Sequence, residues 1–200
     1  MSTGRVIVLE GIDGAGTSTL AQALSHWLET AGYTVFRTQQ PSRHPTGQQI
    51  RKLLREPTSN ETRRAALALS FAADRLLLWE EIRKAVAQDK WVICDRSKLS
   101  SLVYQGSELP EDWVRSINRY APDADLTLLL DLPATTAMAR IEARGAVRER
   151  FETLSILDEL TRRYQRLARE DFGSPVVLLN ADVSAEEVLL QAKQAIEALR

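Results

Sequence analysis

The sequence predicts an α/β fold, in which one five-stranded parallel sheet carries helices on both faces. Three observations predict it. Short apolar runs alternate with longer helical patterns from one end of the chain to the other. These runs are continuous rather than alternating with polar residues, as in strands that are covered on both faces. The first run leads through a glycine-rich segment into a helical pattern, and such strand–helix alternation implies right-handed crossovers.

The apolar runs that predict strands lie at residues 6–9, 34–37, 91–94, 126–130 and 176–179. Helical patterns lie between them, at about 18–31, 47–55, 61–88, 111–120, 133–144, 153–171 and 184–199. Gly32 follows the first helix where a left-handed residue often ends a helix. Ser184 and Glu187 have the spacing of a capping box, which predicts the start of the last helix.

Composition predicts one ordinary globular domain over residues 1–200. The chain has 26 Lys and Arg against 27 Asp and Glu, so its formal charge of −1 argues against bulk binding of nucleic acid or of an anionic membrane. A single cysteine, Cys94, excludes an internal disulfide and favours a reducing compartment. His26 and His44 have no partner at metal-ligand spacing, which excludes a structural zinc site. No run approaches the ~20 apolar residues of a membrane span, so the cytoplasm is the expected location.

The glycine-rich segment has the pattern of a phosphate-binding loop. The pattern GxxxxGKS/T is matched at Gly11, Gly16 and Ser18, between a predicted strand and a predicted helix. In such a loop, backbone N–H groups and the helix N-terminus surround phosphate oxygens, and the hydroxyl at the Ser18 position meets Mg²⁺. The alternative is a plain glycine-rich turn that enters a helix.

Thr17 stands where this pattern has its lysine. Loss of one preorganised contact to the transferred phosphoryl group typically costs about 2.7–4 kcal/mol, or roughly 10²–10³ in rate. Three explanations stay open: an adaptation in which an arginine elsewhere supplies the charge, an engineered substitution, or a protein that binds nucleotide without turning it over.

Two further pairs have the chemistry of a nucleotide site. Phe71 and Arg75 are four residues apart in a helical pattern, so a ring that can stack on a base and a guanidinium that can donate to it face the same way. Asp95 and Arg96 end the third predicted strand, where a carboxylate can hold Mg²⁺ and an arginine can clamp a phosphate. The alternatives are a core phenylalanine beside a surface arginine, and a structural ion pair.

Taken together, four segments resemble the thymidylate kinase family, which transfers the γ-phosphoryl group of ATP to dTMP. They are Glu-Gly-Ile-Asp-Gly-Ala-Gly at 10–16, Phe-Ala-Ala-Asp-Arg at 71–75, Asp-Arg-Ser-Lys-Leu-Ser-Ser-Leu-Val-Tyr-Gln-Gly at 95–106, and an arginine-rich segment at 140–150. The resemblance implies a P-loop NTPase-type three-layer fold, with ATP and Mg²⁺ as cofactors and a lid at about 140–152. It also implies a homodimer, for which the apolar helix at 65–79 offers a surface.

The resemblance implies a role for each matching residue. On the acceptor side, Phe71 stacks on thymine, Arg75 contacts its O4, and Tyr104 leaves no room for a ribose 2′-hydroxyl. Arg96 binds the acceptor phosphate, Asp13 contacts the sugar 3′-hydroxyl or the metal shell, and Asp95 lies near the metal with Ser18. The remaining acceptor-site residues are Pro41, Ser101 and Gln105.

On the ATP side, the resemblance implies that the loop residues bind the nucleotide: Gly11, Ile12, Asp13, Gly14, Ala15, Gly16, Thr17, Ser18 and Thr19. Arg140 resembles the residue that lies against adenine, and Arg144 and Arg150 resemble lid arginines. Gly14 stands where a second subclass has an arginine, so the chain resembles the bacterial-type subclass, which supplies that charge from the lid. Our hypothesis is that Arg148 or Arg150 partly replaces the missing lysine, which makes Asp13, Arg96, Arg148 and Arg150 the expected catalytic set.

A second departure from the family pattern lies at Gln39-Gln40-Pro41, where many bacterial relatives have Arg-Glu-Pro. Neutral glutamines beside the acceptor site could accommodate another 5-substituted deoxyuridine monophosphate. Thr17 leaves a second reading open, a catalytically weakened module that senses or sequesters dTMP. The retained arginines of the 140–150 segment favour an enzyme, because a pure dTMP binder needs no lid over ATP.

Overall fold

A computed structural model describes residues 4–56, 60–145, 151–170 and 173–199 of the chain. Its strands are β1 (Val6–Gly11), β2 (Val35–Gln39), β3 (Trp91–Asp95), β4 (Leu126–Asp131) and β5 (Val176–Asn180). Its helices are α1 (Thr17–Thr30), α2 (Pro45–Arg55), α3 (Glu61–Val86), α4 (Lys98–Tyr104), α5 (Glu111–Ile117), α6 (Ala134–Arg144), α7 (Leu154–Leu167) and α8 (Ala185–Glu197).

The five strands form one parallel sheet in the order β2-β3-β1-β4-β5. The predicted α/β fold is therefore confirmed. The three central strands are buried almost throughout, as their continuous apolar runs predict. The prediction of cover on both faces is wrong for β2 and β5, which are partly exposed because each is an edge strand.

Apolar side chains cover the central strands β1 and β3 on both faces. On one face, Ile7 and Ile93 belong to the larger core cluster together with Leu24 of α1. On the other face, Val8 and Val92 form a smaller cluster with Leu78 and other residues of α3. Side chains along a strand alternate between faces, so a run without polar residues supplies both clusters. In the described part of the chain, we find no helix of the length and apolarity that a membrane crossing requires.

Both local boundary predictions are confirmed. Gly32 has a φ of +88°, and Ser184 and Glu187 form the reciprocal capping box. The sequence missed α4, a helix of 7 residues whose N-cap residue, Ser97, makes no side-chain capping bond. The N–H groups at its start are instead capped by Glu10 of β1, which accepts from the Ser97 N–H at 2.8 Å and the Ser100 N–H at 3.3 Å. A cap that comes from a distant strand leaves no local signal.

The register of the strands brings the candidate site residues to one edge of the sheet. Leu9 of β1 and Gln39 of β2 both pair with Asp95, at the carboxyl end of β3. On the other side of β1, Gly11 pairs with Leu130 of β4. The glycine-rich loop, the residues after β2 and the residues after β3 therefore meet at the edge where such sheets bind ligands.

Candidate active site

The glycine-rich loop runs from Gly11 into α1 with the backbone that its glycines allow. Gly14 and Gly16 have φ values of +83° and +97°. A Cβ at Gly14 would lie 2.5 Å from the Ala137 carbonyl oxygen, so α6 packs directly against the loop and excludes any side chain there. A Cβ at Gly16 would have nothing within 4 Å. The loop therefore leaves an open space at the N-terminus of α1, where N–H groups can surround an anion.

Thr17 and Ser18 are the first residues of α1. Thr17 is buried, with 7% of its surface exposed. The Ser18 hydroxyl donates to Asp95 Oδ2 at 2.6 Å, and Asp95 Oδ1 is buried without a hydrogen-bond partner among the described residues. A carboxylate oxygen that is buried and unsatisfied is costly unless a ligand completes it. A hydroxyl and a carboxylate with a free oxygen fit Mg²⁺, which takes few protein ligands and completes its shell with phosphates and water.

A cavity of about 130 Å³ has Asp13 of the loop as one of its lining residues, and we call it the Arg75 cavity. All eight residues that the sequence predicts for the acceptor site line it: Asp13, Pro41, Phe71, Arg75, Arg96, Ser101, Tyr104 and Gln105. Its other walls come from Gln40, Leu54, Ser97, Ser100 and Phe151. Segments that are far apart in the sequence thus form one cavity with apolar walls and a few polar groups, the usual character of a small-molecule site.

Arg75 lines this cavity and is almost completely buried, with 1% of its surface exposed. Its guanidinium donates to Gln40 Oε1 at 2.8 Å, to Ser101 Oγ at 2.8 Å, to the Ser97 carbonyl at 3.2 Å and to Asn118 Oδ1. All four partners are uncharged. Burial lowers the pKa of Arg75 to about 10, which still leaves the guanidinium charged at neutral pH.

Arg96 joins the Arg75 cavity to the glycine-rich loop. It has a φ of +71°, a conformation that costs a non-glycine residue of order 1–3 kcal/mol. Its guanidinium donates to the Gly11 carbonyl at 2.8 Å and to Asp13 Oδ1 at 2.7 Å, and lies 5.2 Å from the centre of the Tyr104 ring. Burial opposes the charge, but Tyr104 and Asp13 raise the pKa of Arg96 well above its usual range. The cation is therefore permanent and held in one place between two sites.

Glu10 is fully buried behind Arg96, at the end of β1. Its carboxyl group accepts from the Ser100 hydroxyl at 2.5 Å and from the Tyr164 hydroxyl at 3.0 Å, besides the N–H groups at the start of α4. Burial raises the pKa of Glu10, although the hydrogen bond from Ser100 and the charge of Arg96 oppose this shift. Glu10 thereby ties β1 to α4, the helix that carries Ser101 and Tyr104.

A second cavity, of about 400 Å³, opens beside the N-terminus of α1, and we call it the Arg140 cavity. Ala15, Gly16, Thr19 and Arg140 line it, as the sequence predicts for the nucleotide side. Arg140 donates to the Ala181 carbonyl at 2.9 Å and to the Val183 carbonyl at 3.4 Å. These bonds hold the guanidinium against the loop after β5.

Arg144 lies one turn further along α6 and pairs at 2.6 Å with Glu152, whose side chain is fully buried. The helix ends there, and Gly145 has a φ of +67°, so the predicted break at Gly145 is confirmed. Arg148 and Arg150 lie outside the described residues.

Sequence reasoning missed several residues of this site. Glu10 is predicted only as part of a motif, and Asn118, Phe151 and Tyr164 are not predicted as site residues. Tyr164 lies on the buried face of α7, where an aromatic residue at helical spacing indicates core packing. In the structure its hydroxyl also contacts Ser100 at 2.8 Å. One feature of the sequence could have indicated Glu10, because an acidic residue at the end of a buried apolar strand needs hydrogen-bond partners.

A family model described as thymidylate kinase matches residues 9–191. A probable thymidylate kinase of Pyrococcus horikoshii is 36% identical over 193 residues, which cover 92% of this chain and 92% of that protein. One from Pyrococcus abyssi is 38% identical with the same coverage. A thymidylate kinase of Chromohalobacter salexigens is 40% identical over 159 residues, 76% of this chain and 75% of that protein.

Proposed function

Because the chain belongs to the thymidylate kinase family, we propose that the Arg75 cavity binds dTMP and that the glycine-rich loop with the Arg140 cavity binds ATP. The reaction is transfer of a phosphoryl group from ATP to dTMP. One observation carries the assignment: the eight predicted acceptor residues line a single cavity, which Arg96 joins to the loop. Similarity to kinases over most of the chain favours this enzyme over a module that only senses or sequesters dTMP.

On the ATP side, the N–H groups of the loop and the N-terminus of α1 surround the donor phosphates. Arg140, held by two carbonyl groups after β5, presents its flat guanidinium face to the adenine. The Arg140 cavity has the larger volume of the two, in keeping with a purine nucleoside as its occupant.

Ser18 and Asp95 are the proposed Mg²⁺ residues, because one oxygen of Asp95 is buried and free of protein partners in the described part of the chain. When bound, Mg²⁺ supplies charge neutralisation to the donor phosphates. The protein's own contribution is to hold the Ser18 hydroxyl and the Asp95 carboxylate together at the end of β3.

On the acceptor side, Phe71 stacks on the thymine base, and Pro41 and Leu54 complete the apolar wall near it. Ser101 and Gln105 line the same cavity from α4 and its C-terminal cap. Tyr104 is buried with its ring against Phe151, at 5.2 Å between ring centres, and so cannot move aside for a ribose 2′-hydroxyl. The acceptor is accordingly a deoxynucleotide.

Catalysis by these residues is positioning and charge stabilisation. Arg96 orients the acceptor phosphate, and its bonds to Gly11 and Asp13 fix the guanidinium relative to the loop. Asp13 holds Arg96 and lies beside the proposed sugar position in the Arg75 cavity. Arg148 or Arg150 partly replaces the loop lysine, whose position is occupied by Thr17. Both arginines belong to the proposed lid at about 140–152, within one domain of residues 1–200.

We also propose a homodimer that forms through α3. Leu69 and Leu77 are each 50% exposed and Leu76 is 37% exposed, on one face of this helix. Three exposed leucines at i, i+7 and i+8 make an apolar stripe of the kind that a second helix covers. Analytical ultracentrifugation of the unaltered chain and of Leu77→Glu tests this proposal. A dimer for the unaltered chain and a monomer for the variant support the interface, whereas a monomer for both chains refutes it.

The cytoplasm, where ATP and dTMP are available, is the proposed compartment.

The experiment that tests the function is steady-state ADP formation from ATP and Mg²⁺ with a set of acceptors. These are dTMP, dUMP, the ribonucleotide of thymine and 5-hydroxymethyl-dUMP. We expect turnover with dTMP and discrimination against the ribonucleotide. A chain that binds dTMP by calorimetry but forms no ADP would instead be the sensing or sequestering module. Preference for 5-hydroxymethyl-dUMP would identify a different 5-substituted acceptor.

A further inference from the structure

The two oxygens of the Glu10 carboxyl group have different partners. Oε1 accepts from the N–H groups of Ser97 at 2.8 Å and of Ser100 at 3.3 Å, which are backbone groups at the start of α4. Oε2 accepts from two hydroxyl groups, that of Ser100 at 2.5 Å and that of Tyr164 at 3.0 Å. One oxygen thus caps a helix, whereas the other holds two side chains from different helices.

The same two hydroxyl groups also contact Arg96. Arg96 Nη1 donates to Ser100 Oγ at 3.3 Å and to Tyr164 Oη at 3.4 Å. A hydroxyl oxygen can accept from a guanidinium only if its own hydrogen points elsewhere. Glu10 Oε2 takes these hydrogens, so the lone pairs of both oxygens are left for Arg96. Glu10 therefore determines the polarity of the two groups that lie between it and the arginine.

Arg96 and Glu10 are also coupled by charge. Glu10 is fully buried, which raises its pKa, and the positive charge of Arg96 opposes this rise. A buried cation or a buried carboxylate is costly when it is left alone, so each group stabilises the charged form of the other. The remaining acceptors at hydrogen-bond distance below 3 Å are the Gly11 carbonyl and Asp13 Oδ1. The hydroxyl bridges to Glu10 therefore complete the surroundings that keep the guanidinium in one place.

We propose that Glu10 is a positioning residue for the kinase reaction: through the hydroxyl groups of Ser100 and Tyr164, it holds the Arg96 guanidinium in the orientation that binds the acceptor phosphate. This inference rests on the proposed function, because it takes Arg96 as the residue that orients this phosphate. Glu10 is not among the described residues that line the Arg75 cavity, so it acts through other side chains and does not touch the acceptor.

Two variants separate this role from the capping of α4. In Glu10→Gln, the N–H groups of Ser97 and Ser100 still require an acceptor, so the amide oxygen takes the Oε1 position and the amide NH₂ faces the two hydroxyl groups. The hydroxyl hydrogens then lose their acceptor, and Arg96 loses a buried negative charge. Ser100→Ala removes one bridging hydroxyl but leaves both backbone N–H groups on Glu10. Glu159→Gln, at an exposed position of α7, is the matched control for the amide substitution.

The readouts are kcat/KM for dTMP and the Ki of thymidine as its competitor, since thymidine is the same nucleoside without the phosphate group. We expect kcat/KM for dTMP to fall about tenfold or more in Glu10→Gln, and by a smaller factor in Ser100→Ala. The Ki of thymidine should hardly change in either variant, because Arg96 has no phosphate to bind there. Both readouts should stay unchanged in Glu159→Gln.

Two outcomes overturn the proposal. The first is a thymidine Ki that rises in Glu10→Gln by the same factor as kcat/KM for dTMP falls, because Glu10 would then act by holding α4 or through its charge on Arg75. The second is an unchanged kcat/KM in Ser100→Ala, a result that is decisive even if Glu10→Gln does not fold. Absence of dTMP binding to the unaltered chain would refute the proposed function itself, which is a different result from either of these.

A double-mutant cycle tests whether Glu10 acts through Arg96. Arg96→Met removes the guanidinium, and calorimetry gives the Kd of dTMP for this variant with and without Glu10→Gln. If Glu10 acts on the guanidinium, adding Glu10→Gln to Arg96→Met should weaken dTMP binding little further, so that the two effects are not additive. Full additivity would mean that Glu10 acts independently of Arg96, and it contradicts the proposal.

Discussion

The Ser18 hydroxyl of α1 donates to Asp95 Oδ2 at 2.6 Å, so the start of the helix after the glycine-rich loop is tied to the end of β3. The two residues are 77 positions apart in the sequence. They meet because β1 and β3 are neighbours in the sheet and their carboxyl ends lie at the same edge. The other oxygen of Asp95 is buried and unpaired within the described residues, which makes this pair the proposed Mg²⁺ site.

Asp95→Asn is the first prediction, since it removes the carboxylate charge at nearly constant shape. We expect the Mg²⁺ concentration for half-maximal activity to rise about tenfold or more, in the range seen when groups around a metal are altered. A Mg²⁺ titration of ADP formation at saturating nucleotides measures it. Asp112→Asn, at an exposed position of α5, is the control, and equal responses in the two variants would argue against a metal role for Asp95.

Thr17→Lys is expected to raise kcat by on the order of 10², because it restores a preorganised cation at the first residue of α1. Steady-state ADP formation with dTMP measures the change, and Thr17→Ser serves as the control for altering this buried position. A kcat that does not increase would mean that another group already provides the full charge.

Arg148→Ala and Arg150→Ala test whether either arginine supplies the positive charge that the loop lacks at Thr17. If the lid arginines partly replace the lysine, one or both substitutions should lower kcat by about 10²-fold while the Kd values of ATP and dTMP change far less. Arg119→Ala removes an exposed arginine that lies over the Tyr120 ring, and should leave kcat unchanged. Parallel losses of binding and turnover would contradict a role confined to phosphoryl transfer.

Asp74→Asn should destabilise the folded chain by about 1–3 kcal/mol, as expected when buried donors lose an acceptor. Asp74 accepts from the N–H and hydroxyl of Ser42 and from Thr46 Oγ1 at 2.7 Å, and so fastens the segment after β2 to α3. Urea unfolding measures the free energy. Asp158→Asn, in an exposed pair with Arg162, should change it much less. Equal losses of unfolding free energy in the two variants would show that the hydrogen bonds to Asp74 contribute no more to stability than an exposed ion pair.

Glu111 makes stability depend on pH. Burial tends to raise the pKa of Glu111, but hydrogen bonds from Arg166 and Arg115 outweigh it and hold the pKa below its ordinary value of 4.5. A depressed pKa stabilises the fold above the unfolded value, and this stabilisation is lost as the pH falls through the folded value. Urea midpoints of the chain and of Glu111→Gln should therefore differ at neutral pH and converge only when the pH falls below the lowered pKa of Glu111 in the folded chain.

Glu159→Gln provides the comparison for this pH dependence, because Glu159 is exposed on α7. Its urea midpoint should follow that of the unaltered chain at every pH. A constant offset between Glu111→Gln and the unaltered chain over the whole pH range would show that Glu111 acts through packing and not through its charge.

The sequence by itself predicted the parts of this protein whose signals are local. Continuous apolar runs indicated the five strands, and the glycine spacing at Gly11 and Gly16 indicated the loop. Motif resemblance alone assigns Phe71, Arg75 and Tyr104 to one acceptor site, and the structure places all three in one cavity. These features could be predicted because strand burial and turn geometry depend on neighbouring residues, and because the motifs and their order can be recognised in the sequence without coordinates.

Only the tertiary structure decided how those parts are connected. The cap that Glu10 provides for α4 spans 87 positions, and the bond that orients Gln40 against Arg75 spans 35. Whether a buried polar group keeps a free hydrogen depends on every neighbour that the fold brings to it. The four protein partners of Arg75 and the unpaired oxygen of Asp95 are therefore properties of the packed sheet edge, which no local pattern in the sequence encodes.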